Sequence, residues 1–309
     1  MSGFRKLVRL RCGMFLPWWF AALVLLALPI RCTADSPAAA VPNLSVTGMV
    51  RTVPRALRIH VVEAQIGSGA LHARAIIAPD PDGDGPAEAA MTSPVKLAKE
   101  AGAIAAINAN VASRMPADAA KKPMPPWTSG MPVTIGGWAR TGGVTRSGPD
   151  SYHAPIWIGK DERFHVGDTN VPPDAPEAFA GFTVILRDGQ PQRPPGSRAT
   201  ALHPRSAVGV DGTGRHLWLV VVDGRQPHYS EGMTEAELGV LLKELGATDA
   251  VNLDGGGSSV LLCNADGRGL RALNRPSGGS PRPIPVLLGL FAAPAPEPQP
   301  PAPALMPRD

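Results

Sequence analysis

Short apolar segments, several of them alternating with polar residues at a period of two, recur along the chain and predict β-strands. They lie at 57–64, 73–77, 104–107, 133–135, 156–158, 179–186, 208–210, 216–222 and 250–253. Residues 211–214, Asp-Gly-Thr-Gly, connect two of these segments and are typical of a β-hairpin turn. The pattern therefore predicts a core built mainly from strands.

Two helices are predicted from the residues at their ends. Ser93-Pro94 supplies a cap and a proline at the first helical position before 95–101, and Gly102 ends that helix. The capping box in 234–237 opens a second helix that runs to Leu245. Together the elements predict an α+β fold, with a strand-dominated mixed sheet core and two or more helices in a single domain.

Composition limits the folded part of the chain. The 309 residues include 34 Gly and 35 Pro, which disfavours a helical bundle or a coiled coil. Residues 35–54 are rich in Ala, Pro, Ser and Thr and are predicted to be a linker. Residues 292–309 contain seven prolines and predict a disordered tail with polyproline II character. The folded domain is therefore expected at 55–291.

The positive charge is concentrated at the N-terminus. The formal net charge is +4, but five basic residues precede Asp35 with no acid among them, so the rest of the chain is close to neutral. An uncharged apolar segment, 12–30, follows the basic cluster and precedes a small-residue sequence, as in an export signal. Residues 1–34 are therefore predicted to be a cleaved signal peptide or an uncleaved anchor, with the remainder periplasmic or extracellular. A nucleic-acid partner is not indicated.

Cysteine and metal-ligand patterns add little chemistry. Cys12 and Cys32 belong to the N-terminal segment, which leaves Cys263 as a core residue or, alternatively, a catalytic thiol. The segment 80–85 begins like a calcium loop, but Met91 stands where that loop needs Glu, which favours an acidic surface turn. We expect no cofactor and assign no metal ligand.

Three consecutive glycines follow the predicted strand 250–253 in the sequence Asn252-Leu-Asp254-Gly-Gly-Gly-Ser258-Ser259. A tight turn needs one or two glycines, whereas three suit a backbone that approaches a ligand closely and presents its amides. The segment has neither P-loop spacing nor a nucleophile elbow. It is interpreted as a binding segment into which Asp254 and Ser258 project.

Other polar residues stand next to apolar strands. Asp223-Gly-Arg225 follows 216–222, and it is either a solvated turn or part of a site. Arg205, before the strand 208–210, is either a surface ion-pair residue or a bidentate anion clamp. Asn108 and Asn110 follow 104–107, and the proline-rich segment after them, 111–130, is either a functional loop or locally disordered.

Taken in order, these motifs resemble the phosphodiester glycosidase family, whose namesake is N-acetylglucosamine-1-phosphodiester alpha-N-acetylglucosaminidase. The resemblance spans about 57–291. It rests on 105–110, 203–211, 222–225, 229–232, 245–250, 252–259, 273–277 and the closing strand 286–291. The sequence departs from the family pattern at Val111-Ala-Ser113, where the family usually has aromatic residues.

The resemblance implies hydrolysis of a sugar-1-phosphodiester to a sugar and a phosphomonoester. Asp254 would then be the catalytic carboxylate, with Asp223 as its partner. Arg205, Arg225 and the amides of 255–257 would bind the phosphate. The sugar hydroxyls would contact Asn108, Asn110, Asn252 and Ser258. Two alternatives remain open: a phosphodiesterase that breaks the P–O bond, and a noncatalytic polysaccharide-binding or envelope protein.

Overall fold

The computed structural model describes residues 41–193, 200–264 and 267–293. The predicted signal or anchor segment, 1–34, and residues 294–309 of the predicted tail lie outside these ranges. Most described residues with regular structure are in strands, so the strand-dominated α+β prediction is confirmed. Among the described residues, no helix has both the length and the apolar character needed to cross a membrane.

The elements follow one another in a largely β order. The strands of the first half are β1 (Leu44–Arg51), β2 (Leu57–Gln65), β3 (Leu71–Ile77), β4 (Ala89–Ala90), β5 (Ala105–Asn108), β6 (Ala112–Arg114), β7 (Pro132–Ile135), β8 (Ala139–Thr141), β9 (Val144–Ser147) and β10 (Ala154–Ile158). Those of the second half are β11 (Phe164–Val166), β12 (Glu177–Gly181), β13 (Thr183–Arg187), β14 (Gln190–Pro191), β15 (Arg205–Val210), β16 (His216–Val222), β17 (Asp249–Asn252), β18 (Leu261–Cys263), β19 (Arg271–Ala272) and β20 (Val286–Ala292). The helices are α1 (Pro94–Ala101), α2 (Pro116–Ala119) and α3 (Glu235–Leu245).

The described strands form four sheets, all of which contribute residues to the main core, and two of the four contain the strands next to the polar motifs. The larger has the order β1-β2-β16-β15-β17-β13-β14, and the smaller has the order β19-β18-β5-β20-β3. Every pairing between the described strands of these sheets is antiparallel, so the mixed arrangement that we expected is wrong. The unit β3-α1-β5 does run in the expected order, but β20 inserts between its two strands and is antiparallel to both.

The interior strand β16 is buried on both faces. Leu217, Leu219 and Val221 belong to the main core, whereas Trp218 and Val220 alternate with them and belong to a second core beneath α3. This explains why 216–222 is an almost continuous apolar run and not an alternating one. The second core also takes in Leu238, Leu241 and Leu242, one face of α3.

Helix α3 has the ends that its sequence predicts. The Thr234 hydroxyl accepts a hydrogen bond from the Glu237 amide, and the Glu237 carboxylate accepts one from the Thr234 amide. Gly246 ends the helix in the left-handed conformation, with φ of 108°. At the first helix the cap is weaker, because the Ser93 side chain makes no capping hydrogen bond.

Gly239 sets how closely α3 packs on the large sheet. A Cβ at this position would lie 2.3 Å from the carbonyl oxygen of Ile185 in β13. Alanine usually stabilises a helix relative to glycine, but here the backbone contact should dominate. We expect Gly239→Ala to lower the free energy of unfolding by about 1–3 kcal/mol. Urea unfolding measures it, with Val240→Ala on the exposed face of α3 as control, and equal midpoints for the two variants would contradict the prediction.

Three sequence predictions need correction here. Part of the predicted linker 35–54 is strand β1, which pairs residue by residue with β2 and forms the edge of the large sheet. The predicted strand 179–186 is two strands, β12 and β13, which belong to different sheets and are separated at Phe182. The segment 111–130 is not structureless, because it contains β6 and α2 and its Trp127 packs against the main core.

Candidate functional site

The polar motifs meet where strands β15, β16 and β17 of the large sheet begin or end. Strand β15 is antiparallel to both β16 and β17, with Arg205 opposite Val222 and Ala207 opposite Asn252. The residues before β15 therefore meet the residues that follow β16 and β17. Because β13 begins opposite Asn252, Phe182 lies at the same end of the sheet.

A cavity of about 330 Å³ opens at this end of the sheet. Its lining combines cations, carboxylates and the glycine segment, and it consists of Phe182, Ala201, His203, Arg205, Arg225, Glu235, Asn252, Asp254, Gly255, Gly256, Gly257 and Arg282. Six of the sequence-predicted binding residues and one of the two predicted catalytic carboxylates are thus brought together. Asp223, Asn108, Asn110 and Ser258 are not part of the lining.

Asp254 is a nearly buried carboxylate, with 8% of its surface exposed. Burial raises the pKa of the Asp254 carboxyl, and the Arg282 guanidinium and the Ser258 hydroxyl offset part of that rise. Arg282 Nη2 donates to Asp254 Oδ2 at 3.1 Å, and the Ser258 hydroxyl donates to the same oxygen. Arg282 also donates to the Ser258 oxygen, so the three side chains form a closed network.

The three glycines have different structural reasons. A Cβ on Gly255 would lie 2.9 Å from the Pro204 carbonyl oxygen, and Gly256 has a φ of 62°, which favours glycine. Neither reason applies to Gly257, where a Cβ would meet the Arg282 side chain no closer than 3.5 Å. The Gly256 amide donates to the Pro204 carbonyl and the Gly255 amide to the Asp254 carboxyl, so the expectation that all three amides are free is wrong for Gly255 and Gly256.

Arg225 lies over this glycine segment. A Cβ on Gly256 would lie 3.1 Å from both terminal nitrogens of the Arg225 guanidinium. The guanidinium contacts His203 Nδ1 at 3.4 Å, and no described carboxylate pairs with it. Burial lowers the pKa of the His203 imidazole, and Arg225 and Arg205 lower it further. A neutral His203 can therefore accept from Arg225 at pH 7, which leaves the Arg225 charge available to an anion.

Arg205 is neither the surface ion-pair residue nor the open anion clamp that the sequence suggested. It is buried, with 6% of its surface exposed, and its guanidinium donates to the carbonyl oxygens of Met233 and Ala201 at 2.8 and 2.9 Å. Its Nη1 lies 3.1 Å from Glu235 Oε1, and Glu235 is also buried. Arg205 is therefore neither a surface residue nor an open clamp, because Glu235 neutralises its charge within the cavity wall.

Asp223 is buried beneath the site and not at the cavity. Its carboxylate accepts from the Arg275 amide at 3.0 Å and from Asn274 Nδ2 at 3.2 Å, and His60 Nε2 lies 2.9 Å from it. The Tyr229 hydroxyl donates to it at 3.4 Å. These contacts hold the segments after β16 and β19 together. The structure thus gives no support to Asp223 as the catalytic partner of Asp254.

The substitution Asp223→Asn distinguishes a structural role of Asp223 from a catalytic one. The asparagine would turn an NH₂ group toward existing donors, so we expect a loss of about 1–3 kcal/mol in the free energy of unfolding. Turnover per folded molecule should stay within about tenfold of the wild-type value, since the cavity lining is unchanged. Denaturant unfolding and kinetics on the same preparation measure both. Unchanged stability with turnover lost to the level of an Asp254 variant would restore the catalytic role.

The three asparagines predicted to contact the sugar have different surroundings. Asn108 Nδ2 donates to the Asp254 carbonyl oxygen at 2.5 Å and its Oδ1 accepts from Ser206 and Val260, so both ends of the side-chain amide are engaged inside the protein. Asn110 Nδ2 donates to the carbonyl oxygens of residues 136 and 138. Asn110 Oδ1 and Asn252 Oδ1 are both buried without a partner among the described residues. Of the three asparagines, only Asn252 is in the described lining of the cavity.

The sequence interpretation missed Arg282, Glu235 and Phe182. Arg282 lies in a segment with no hydrophobic period, although its proline neighbours and its place before the closing strand set it apart. Glu235 looked like an ordinary first-turn helix residue. Phe182 lies within the predicted strand 179–186. Only the assignment of β12 and β13 to different sheets shows that this strand is interrupted at Phe182.

Other cavities and reactive side chains in the described part of the chain are weaker candidates for a functional site. A cavity of about 390 Å³ lies between β11 and the 211–214 turn, but several of its charged groups are engaged with the backbone. Asp211, for example, accepts from the amides of Arg215 and His216, and Arg187 donates to two carbonyl oxygens. Cys263 is buried in the main core, and the described residues contain no cluster of three metal-ligating side chains.

The family is decided by a match over most of the folded chain. The family model described as phosphodiester glycosidase (NAGPA) matches residues 101–291. The chain belongs to this family. The phosphodiester glycosidase match includes every cavity residue, whereas residues 57–100 of the expected span lie outside it. No curated protein matches the chain.

Two solved structures share the phosphodiester glycosidase fold with this chain. A hypothetical protein from Synechocystis is 14% identical with a TM-score of 0.59, and the match covers 84% of this chain and 64% of that one. The zebrafish N-acetylglucosamine-1-phosphodiester alpha-N-acetylglucosaminidase catalytic domain, auto-inhibited by its pro-peptide, is 19% identical with a TM-score of 0.55, and the match covers 81% and 82%. The chain thus spans less than two thirds of the Synechocystis structure. At these identities the likeness shows the fold alone.

Proposed function

We propose that the protein hydrolyses the glycosidic C–O bond of a sugar-1-phosphodiester and releases the sugar and a phosphomonoester. The observation that carries the proposal is a buried carboxylate paired with Arg282, in a cavity that it shares with Arg225 and the glycine segment, in a chain of the phosphodiester glycosidase family. The carboxylate serves the anomeric carbon, and the arginines serve the phosphate.

Charge in the cavity suits a phosphodiester. The lining holds three arginines and two carboxylates, and the Arg205–Glu235 pair cancels within the wall. Arg225 and Arg282 remain, with Asp254 as the only other charged group among the described residues of the lining, since His203 is neutral at pH 7. Guanidinium groups bind phosphate oxygens through paired hydrogen bonds. A substrate with one negative charge therefore meets a net positive site.

Unpaired polar atoms supply the remaining contacts. Asn252 Oδ1 is a buried acceptor and Arg282 Nε a buried donor, and neither has a partner in the described ranges of the chain. Buried polar atoms are costly to leave without hydrogen bonds, so both favour a polar occupant of the cavity. A sugar hydroxyl fits the Asn252 oxygen, and a phosphate oxygen fits the Arg282 nitrogen.

Asp254 acts on the anomeric carbon in its ionised form, either by taking a proton from water or by direct attack. The C–O bond breaks with its electron pair on the phosphate oxygen, and the oxygen of water ends on the sugar. Burial raises the pKa of Asp254, which makes the carboxylate a stronger base. The leaving phosphomonoester has a second pKa of about 6, so it departs with little need for protonation.

The test is to incubate the full chain with a panel of sugar-1-phosphodiesters and to measure free reducing sugar. In oxygen-18 water, label in the sugar supports cleavage of the C–O bond. Label in the phosphate instead would show a phosphodiesterase and overturn the proposal. Binding without turnover on the whole panel would also overturn it, in favour of a noncatalytic role.

A further inference from the structure

Trp127 links the proline-rich segment 111–130 to the site. Its indole ring lies 3.9 Å from the Arg114 guanidinium carbon and 5.3 Å from that of Arg282, both measured to the ring centroid. The ring is half-buried and packs against the main core. Arg114 also contacts the sulfur of Met131 in the segment that leads to β7. The indole is thus held by the protein body and carries Arg282 on its face.

The Arg282 guanidinium is otherwise held through one nitrogen. Nη2 makes the contacts with Asp254 and Ser258, whereas Nε is buried and has no hydrogen-bond partner among the residues that the structure describes. The backbone around Arg282 forms neither helix nor strand. A planar cation attached through one nitrogen can still rotate, and an aromatic face is a second restraint that fixes its plane.

We propose that Trp127 is a positioning residue that fixes the Arg282 guanidinium against Asp254 and Ser258. The inference rests on the proposed function, because Asp254 is taken as the catalytic carboxylate. It also gives a role to the proline-rich segment, whose Trp127 supports Arg282, a residue of the cavity lining. The indole acts on the reaction only through Arg282, since Trp127 is not part of the cavity lining.

Loss of the indole should change the acid side of the pH profile. The Arg282 charge offsets part of the burial-driven rise in the pKa of Asp254. A loosely held guanidinium offsets less of it, so the Asp254 pKa rises and the ionised form appears only at higher pH. The other charged or titratable groups lining the cavity, Arg205, Arg225, Glu235 and His203, are the same in both proteins.

The first experiment compares Trp127→Ala with the wild-type chain over a range of pH. We expect kcat to fall about tenfold with a smaller change in KM, and the acid limb of kcat/KM to move to higher pH. Trp127→Phe keeps an aromatic face and should recover most of both effects. Trp138→Ala removes another half-buried tryptophan, one that lies against Arg140 away from the cavity, and should leave the acid limb in place.

A double-mutant cycle tests whether the effect passes through Arg282. In an Arg282→Gln background, Trp127→Ala should cause no further shift of the acid limb and little further loss of kcat. A full additional loss in that background would overturn the proposal, as would an acid limb that Trp127→Ala leaves unmoved. A purely structural role would lower Tm and leave the acid limb in place.

A readout without turnover separates this inference from the proposed function. Carbon-13 NMR of the aspartate carboxyls in the full chain follows the titration of Asp254, assigned with Asp254→Asn. The Asp254 titration should move to higher pH in Trp127→Ala, whether or not any substrate on the panel is cleaved. An unchanged titration would reject the positioning role, whereas absence of turnover with a shifted titration would reject only the glycosidase activity.

Discussion

Asp254→Asn is expected to lower kcat on a cleaved sugar-1-phosphodiester by about 10²–10⁴-fold, with KM changed much less. Asparagine has nearly the same shape and can still accept a hydrogen bond from Arg282, but it can neither take a proton from water nor attack the anomeric carbon. Steady-state release of reducing sugar by the full chain measures the effect. Near-wild-type turnover in a folded Asp254→Asn protein would remove Asp254 from the mechanism.

Stability should move in the opposite direction. The pKa of Asp254 is raised in the folded protein, so the carboxyl contributes most to stability below its unfolded pKa. That contribution is lost as the pH rises through the folded pKa. At pH 7 the buried charge is therefore a cost that asparagine removes, and we expect a Tm equal to or higher than that of the wild-type protein.

Asp249→Asn is the matched control for this variant. Asp249 lies at the opposite end of β17, where its carboxylate is 3.5 Å from Arg187. The same substitution there should leave kcat unchanged. A large loss of turnover in both variants would show that disturbance of the strand, and not loss of the Asp254 carboxylate, causes the effect.

Arg282→Gln is expected to lower kcat/KM by about 10²–10³-fold, because it removes a donor both to the phosphate and to Asp254. It should also move the acid limb of the pH profile to higher pH, since the cation that favours ionised Asp254 is gone. Kinetics between pH 4 and 8, a range set by the ordinary aspartate pKa of about 4, measure both effects.

Arg282→Lys separates charge from geometry. The ammonium keeps the positive charge and should return the acid limb toward its wild-type position, while kcat/KM stays low because the planar fork is lost. Arg225→Gln provides a comparison, since no direct contact joins Arg225 to Asp254: it should raise KM without moving the acid limb. An acid limb that stays fixed in Arg282→Gln would contradict the assignment.

The strands were the most predictable part of the fold. Segments such as 216–222 and 57–64 were recognised within one residue of β16 and β2, because alternation and apolar runs record burial locally. The edge strand β1 was missed for the same reason. Its side chains are mostly exposed, and only pairing with β2 makes it a strand.

Site residues were predictable where one segment carries both the turn and the chemistry. Asp254 and the glycines after it fall in this class, since glycine frequency and strand exit are visible along the chain. Asp223 has the same local signature as Asp254, yet its carboxylate is occupied by His60, Asn274 and Arg275. The difference comes from neighbours more than 50 residues away.

By itself, the sequence determined the strand-dominated class, the capped helix α3 and the glycine segment after Asp254, because propensity, capping and periodicity act between residues close in the chain. Only the tertiary structure decided which charges face the cavity. Glu235 neutralises Arg205, and Arg282 joins Asp254 from 28 residues away with Trp127 at its face. Burial and charge pairing depend on distances in space, and these follow from the packing of the sheets and loops and not from the order of residues.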